Sequence, residues 1–415
     1  MASDTAILPS APHKTASSLS LPPSQFVRLQ PHTYLLAHLS PSDSDSRPPL
    51  RINGRLQSQF RPALVNTGSL THCNGSAVVR IGDTAAVCGV RAEILSTDDI
   101  VAWKLSTAAR PSKRRRTEKS QGAGIDVPTR DDTVQEDDDD GDDDSEIAAF
   151  NLLVPNLSLN TGCSPSIPPG SAPTPLAQAL SHQLLALLHS SRLVRAEDLR
   201  IWHQPPNLAN EDTHMTTEGE GDSNDAGSSA PKPEIKAFWT LYIDVLVISL
   251  AGNAFDAAWA AVVAALRDTR LPKAWWDMDS EMVLCSDSVA DSKKLRLRGM
   301  PMASSFCVFE GDATGDWKRI ISEAEDDRQR GKSDARELPL TSKRWILADP
   351  DAFEESLCQE RACVVLDKDA QGRVKLLRLE KNGGFYLGKE ELKEIVDLAA
   401  ERWEEWKPLL EASVS

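Results

Sequence analysis

The chain has 415 residues, 40% of them hydrophobic, which is enough for more than one domain-sized core. Its formal net charge of −16 is unevenly spread: residues 131–146 hold eleven acids, residues 211–225 six, and residues 110–119 six bases. The remainder is only mildly acidic, which excludes a broad basic field for nucleic acid and leaves RNA contact to local patches or partners.

Seven cysteines without a Cys-x-x-Cys pair suit reduced thiols rather than a disulfide framework. Neither a signal peptide nor a bilayer-spanning stretch is expected, so the chain reads as a soluble intracellular protein. Residues 1–21 read as a loose tail. Residues 76–81, a Gly82-Asp83 turn and residues 84–94 predict a β-hairpin of small and β-branched residues. Residues 104–145 and 204–234 are too polar to offset the entropy of ordering, and read as disordered insertions. Thr174 before Pro175 predicts a helix to about Ser191, burying Leu176, Leu180, Leu184 and Leu187 or Leu188.

Residues 239–250 predict a buried central strand that breaks at Ala251-Gly252. Asn253 is then placed to cap a helix over residues 254–267, with Asp256 in its first turn and Trp259 and Val263 on one face. A second set follows, with strands over residues 281–285, 295–298, 304–310 and 345–348. Asp349-Pro350-Asp351 caps a helix through Leu357, and residues 362–366 pair with 374–380. A last helix, residues 389–410, carries Leu392, Ile395, Val396, Ala399, Trp403 and Trp406 as a core stripe. The alternation predicts two α+β or α/β units, residues 22–271 with both insertions and residues 272–415. Trp275-Trp276 falls in their connection, either as interface surface or packed within its own chain.

Signals for catalysis are sparse. The chain has no Gly-x-Ser-x-Gly elbow, phosphate-cradling Gly-Lys-Ser/Thr loop or His-Glu-x-x-His helix. His72 beside Cys73 has no second pair to complete a metal site, and His182 and His189 share a helix face that is solvated or packed. Asp256 reads as a helix-start residue, and Asp244 as a satisfied buried carboxylate or a rim residue. No metal or cofactor is expected. Lys113, Arg114, Arg115 and Arg116 form either a nuclear localisation signal or an ordinary charged loop.

Three stretches carry a family resemblance. The first is Arg51-Ile-Asn-Gly-Arg55 with Arg61, then Asn74-Gly-Ser-Ala-Val-Val-Arg-Ile-Gly-Asp-Thr84 and Gly89-Val-Arg-Ala-Glu-Ile94. The second is Asn156-Leu-Ser-Leu-Asn160 running into the Pro- and Ser-rich residues 163–170. The third covers residues 242–257, with Ala348-Asp-Pro-Asp351 and Glu354-Glu355 later. In this order and spacing they resemble the ribonuclease PH family, specifically the catalytically silent ring subunits of the eukaryotic RNA exosome.

The resemblance implies two βαβ-type halves about a pseudo-dyad, as in the ribosomal protein S5 domain 2-like fold. It also implies a ring of ribonuclease PH-like subunits with cap proteins, RNA in the central pore, and a separate associated nuclease. Active members bind phosphate at a Gly-Thr-Arg turn on a helix N-terminus; here the turn reads Gly252-Asn253-Ala254-Phe255 and has no guanidinium. The implied role is non-catalytic, supporting 3′-to-5′ RNA processing and degradation in nucleus, nucleolus and cytoplasm. Arg51, Arg55, Arg61 and Arg80 are candidate RNA or interface cations, or plain surface ion pairs. The alternatives are an active phosphate-dependent 3′-to-5′ exoribonuclease, and an acidic adaptor working through the Asp tract.

Overall fold

The computed structural model describes residues 22–41, 48–101, 103, 140–170, 172–205, 233–311, 344–369, 371–383 and 387–413. The expected tail of residues 1–21, the central parts of both expected insertions, and Lys113 to Arg116 lie outside the described residues. The chain forms two units: residues 1–59 with 309–345, and residues 60–308 with 346–415.

In the first unit, α1 (Pro23–Leu29) and α2 (Pro31–Leu39) each begin on a proline, where a missing N–H is harmless. Leu35 and Leu39 are buried, and the His32 ring lies 4.6 Å from that of Phe309. His32 Nε2 also lies 3.0 Å from the Glu310 carbonyl oxygen.

The second unit contains most of the core. Strands β1 (Ala63–Thr67), β2 (Gly75–Ile81) and β3 (Thr84–Ser96) form an antiparallel meander, and the β2–β3 hairpin closes at Ile81 opposite Thr84, as the Gly82-Asp83 turn predicts. Helix α3 (Asp140–Ala149) leads into β4 (Leu153–Leu159). Then come α4 (Pro175–Ser191), α5 (Ala196–Leu199), β5 (Arg200–His203) and β6 (Glu234–Ser249). The sheet order is β1-β2-β3-β6-β4, with β5 also on β6. Strand β6 is its centre: antiparallel to β3, parallel to β4, and alternating buried with exposed residues from Tyr242 to Ile248.

Across the sheet's buried face lies α6 (Ala254–Asp268), whose twelve residues Ala254, Asp256 to Ala265 and Leu266 are all buried. A helix apolar on every side must be covered on every side. Its second cover comes from the C-terminal part of the unit. There β7 (Arg270–Leu271), β8 (Ala274–Asp277), β9 (Met282–Cys285) and β10 (Lys293–Lys294) form two short antiparallel ribbons. They precede β11 (Met302–Glu310), β12 (Arg344–Ala348), α7 (Ala352–Leu357), β13 (Glu360–Lys368), β14 (Val374–Gly383) and α8 (Lys389–Ala412). The second sheet runs β12-β11-β13-β14. Trp259 of α6 is fully buried and donates Nε1–H to the Pro301 carbonyl at 2.8 Å, and Trp403 of α8 does the same to Met300. Two indoles thus fasten one loop before β11 from both sides.

Several expectations shift. Helix α3 starts at Asp140, inside the expected insertion of residues 104–145, where buried Ile147 and a 2.8 Å pair between Glu146 and Arg200 anchor its C-terminal turn. Strand β6 starts at Glu234, the last residue of the second expected insertion. Residues 295–298 form no strand: Leu295 is buried as a core contact and Leu297 makes a single bridge to Val194. Leu176 is 44% exposed, because the buried face of α4 begins at Ala177 and Leu180. On α8 the buried stripe includes Arg402, whose guanidinium lies 5.0 Å from the Phe60 ring and 5.2 Å from the Trp406 ring.

Candidate functional site

The turn from β6 into α6 needs an abrupt change of direction. Gly252 has φ 90° and Asn253 φ 52°, so two successive residues occupy the left-handed region. Gly252 is required here: a Cβ would sit 2.5 Å from the Ala352 nitrogen and 2.5 Å from the Asp351 carbonyl carbon. The turn therefore packs directly on the start of α7, and Ala352 N–H donates to the Ala251 carbonyl at 3.2 Å.

Arg61 holds this turn from beneath. Its Nε and Nη2 donate to Asp349 Oδ2 and Oδ1, both at 2.8 Å, and its backbone N–H adds a third bond to Oδ2 at 2.9 Å. Nη1 reaches the Ala251 carbonyl at 3.1 Å and Nη2 the Gly252 carbonyl at 3.3 Å. Thr84 supports the same carbonyl, donating its hydroxyl to Gly252 at 2.7 Å while accepting from Ala251 N–H. Burial alone would raise the Asp349 carboxyl, but the Arg61 bonds and charge outweigh it and hold it below its ordinary value.

Asn253 occupies the cap position without capping. Its Nδ2 donates to Asp256 Oδ2 and Asp349 Oδ1, each at 2.7 Å, so the side chain bridges two carboxylates instead of receiving the helix amides. Asp256 is buried and also accepts from Ser305 N–H at 2.8 Å and Ser305 Oγ at 2.7 Å. The expectation of a helix-start residue is met in position, yet its side chain ties α6 to β11. Burial pushes its carboxyl up despite these bonds.

The backbone N–H of Asn253 donates to Glu355 Oε1 at 2.9 Å. A carboxylate from α7 thus sits where the helix N-terminus would receive an anion. Burial raises the Glu355 carboxyl, with Arg361 and Arg61 pulling the other way. Beside it lies a cavity of about 420 Å³ lined by Asn253, Phe255, Ser305, Glu355, Arg361 and Glu380, among others. Phe255 adds an aromatic side chain to this lining.

The four candidate cations separate. Arg61 is buried within the turn network, and Arg51 is 1% exposed, so neither presents its charge to solvent. Arg55 is half-buried and Arg80 exposed; Arg55 bonds the Gln59 carbonyl, and Arg80 bonds the Gly82 carbonyl at 2.7 Å with Asp83 at 3.4 Å. Asp244 is on the exposed face of β6, accepting from Asn156 at 3.3 Å, so the rim reading of this residue is the observed one. Among the described residues no group of three or more potential ligands gathers for a metal, and no helix is long and apolar enough to cross a membrane. Glu355 and Ser305 were not legible as turn partners; for Glu355 the one signal was its place in the Asp-Pro-Asp, Glu-Glu segment.

The chain is 27% identical over 385 residues to the exosome complex component rrp43 of Schizosaccharomyces pombe, covering 93% of this chain and 97% of that one. It is 25% identical over 234 residues to the exosome complex component Rrp42 of Methanothermobacter thermautotrophicus, 56% of this chain and 57% of that one. A solved structure described as the Archaeoglobus fulgidus exosome with RNA bound to the active site has the same fold, with TM-score 0.51 and 18% identity over 92% of this chain and 98% of that one. Within its family the sequence resemblance points to ribosomal RNA-processing protein 43, in agreement with the first of these relatives. Residues 59–125 and 122–272, spanning β1 to β7 and the whole turn, match domain 1 of the 3′ exoribonuclease family, RNase PH, and the chain belongs to that family.

Proposed function

We propose that this chain is a non-catalytic ring subunit of an RNA exosome core, supporting 3′-to-5′ RNA processing and degradation through the ring it completes. The observation that carries the reading is the Glu355 carboxylate on the Asn253 amide. Phosphorolysis needs an anion at that helix terminus, and a fixed internal carboxylate both fills the place and repels a phosphate. Arg61 offers no substitute, since Asp349 and two backbone carbonyls occupy its donors. The end-to-end likeness to a protein named as an exosome component supports the ring role.

Partners are then other ribonuclease PH-like subunits, cap proteins and an associated nuclease, with RNA in the pore. The β8–β9 ribbon supplies fitting surface: Trp275 is 41% exposed opposite Leu284, with exposed Met278 and Met282 at the same end. Half-buried Arg55 and exposed Arg80 remain the candidate RNA or interface cations. The two halves, residues 22–271 and 272–415, and a nuclear, nucleolar and cytoplasmic location with Lys113 to Arg116 as import signal, belong to the same proposal. Co-expression with ribonuclease PH-like ring subunits followed by sedimentation tests it. The expected result is a stable hetero-oligomer; a monodisperse monomer that binds none of them would contradict it.

A further inference from the structure

The cavity beside the turn has the wrong polarity for phosphate, and its own chemistry points elsewhere. Four carboxylates surround the start of α6: Asp256, Asp349, Glu355 and Glu380. Arg61 pairs with Asp349 and Arg378 with Glu380. Asp256 and Glu355 have no salt-bridge partner among the described residues, and burial raises both carboxyls. The lining cation Arg361 gives an Nη2 hydrogen to the Glu355 main-chain carbonyl at 2.9 Å.

A second observation concerns Asn253, which lines the cavity and is 3% exposed. Its Nδ2 donates to two carboxylates, and carboxylates accept only, so the amide orientation is fixed. Its Oδ1 is buried with no donor. A buried acceptor without a partner is destabilising, and a ligand donor removes that penalty. Leu176, Leu250 and Phe306 complete the cavity with apolar wall.

A carboxylate without a salt bridge, an unpartnered acceptor and an apolar wall together suit an organic cation with N–H donors on an aliphatic stem. We infer that this cavity binds a guanidinium or alkylammonium group, its donors on Glu355 and Asn253 Oδ1 and its stem along Phe255 and Leu176. The inference rests on the reading that the turn is no longer a phosphate site. The helix dipole, unfavourable to a cation, is offset at this point by Glu355 on the terminal amide. The same chemistry could arrive as a free small amine or as a basic side chain of a bound polypeptide.

Calorimetric titration of the full chain with butylguanidinium, with acetyl-Gly-Arg-Gly-amide, and with inorganic phosphate separates these cases. Binding of either cation is expected, weakened roughly tenfold or more in Glu355→Gln, with thermal unfolding showing that the variant folds. Tighter binding of the peptide points to a polypeptide source, and tighter binding of butylguanidinium to a free amine. Phe255→Ala serves as a second variant, weakening binding through the stem contact while leaving both acceptors. No binding of either cation, or binding unchanged in both variants, would overturn the inference alone. Binding of inorganic phosphate that is altered in Phe255→Ala, with no binding of either cation, would overturn both the inference and the non-catalytic reading.

Discussion

The Glu355 Oε1 atom lies 2.9 Å from the Asn253 backbone nitrogen, so the amide of the residue that opens α6 already has an internal anion. Because Glu355 is only one helical turn from the Asp351 cap of α7, its position depends on that capping box and on Ala352 packing against Gly252. The plug and the turn are one built unit.

That dependence predicts the effect of Gly252→Ala. The new methyl would meet the α7 backbone at 2.5 Å in a conformation with φ 90°, which L side chains rarely adopt. A loss of at least about 2 kcal/mol is expected in urea unfolding. An unchanged midpoint would show that the turn and α7 are not in contact in solution.

Breaking the Arg61–Asp349 pair should be severe. The side chains are 10% and 1% exposed, so Arg61→Ala leaves a buried carboxylate without its cation. The expected loss is about 3–5 kcal/mol. Arg61→Lys should recover only part of it, since an ammonium cannot reproduce the fork on both oxygens.

Two carboxylates of the network should respond oppositely to pH. Asp349 is held below its ordinary 3.8, so its stabilisation is present above that pH and is lost as pH falls through the folded value. Glu355 is raised above its ordinary 4.5, so its contribution becomes unfavourable as pH rises from there through the folded value. Relative to the native protein, Asp349→Asn should therefore be most destabilised near neutral pH, and Glu355→Gln should gain stability between pH 4 and 7. Urea unfolding of the three proteins from below pH 3.8 to neutral pH checks both signs.

The core offers a simpler case. Trp259 is fully buried on α6 with its N–H on Pro301, and Trp259→Ala should cost about 3–5 kcal/mol. Trp259→Phe should cost less, losing the hydrogen bond but little volume. Chemical denaturation of both variants measures the difference.

Much of this fold was legible because local signals agreed with burial. Thr174 does accept from Ala177 N–H at 3.2 Å at the start of α4, and Asp351 and Glu354 form the expected start of α7. The hairpin turn was equally readable, whereas β6, expected as a buried strand, exposes Leu246 and Ile248 on one face. The site was less so, because its partners are distant in sequence: Arg61 meets Asp349 across 288 positions, and Asn253 meets Glu355 across 102. Arg61 in the sequence read as an RNA or interface cation or a surface ion pair, and only the fold reveals its buried carboxylate partner. Asn253 looked like a helix cap because asparagine usually is one; the two carboxylates beside it outcompete the helix amides.

The central claim is that this family member occupies a ring position without running phosphorolysis. The direct measurement incubates the purified chain with 5′-labelled single-stranded RNA, magnesium and inorganic phosphate, and follows both RNA length and nucleoside diphosphate release. The account predicts RNA of unchanged length and no diphosphate, for the native chain and for Glu355→Gln alike, because in neither does the Gly252-Asn253-Ala254-Phe255 turn itself carry an arginine. Phosphate-dependent shortening that co-purifies with the native chain would contradict it.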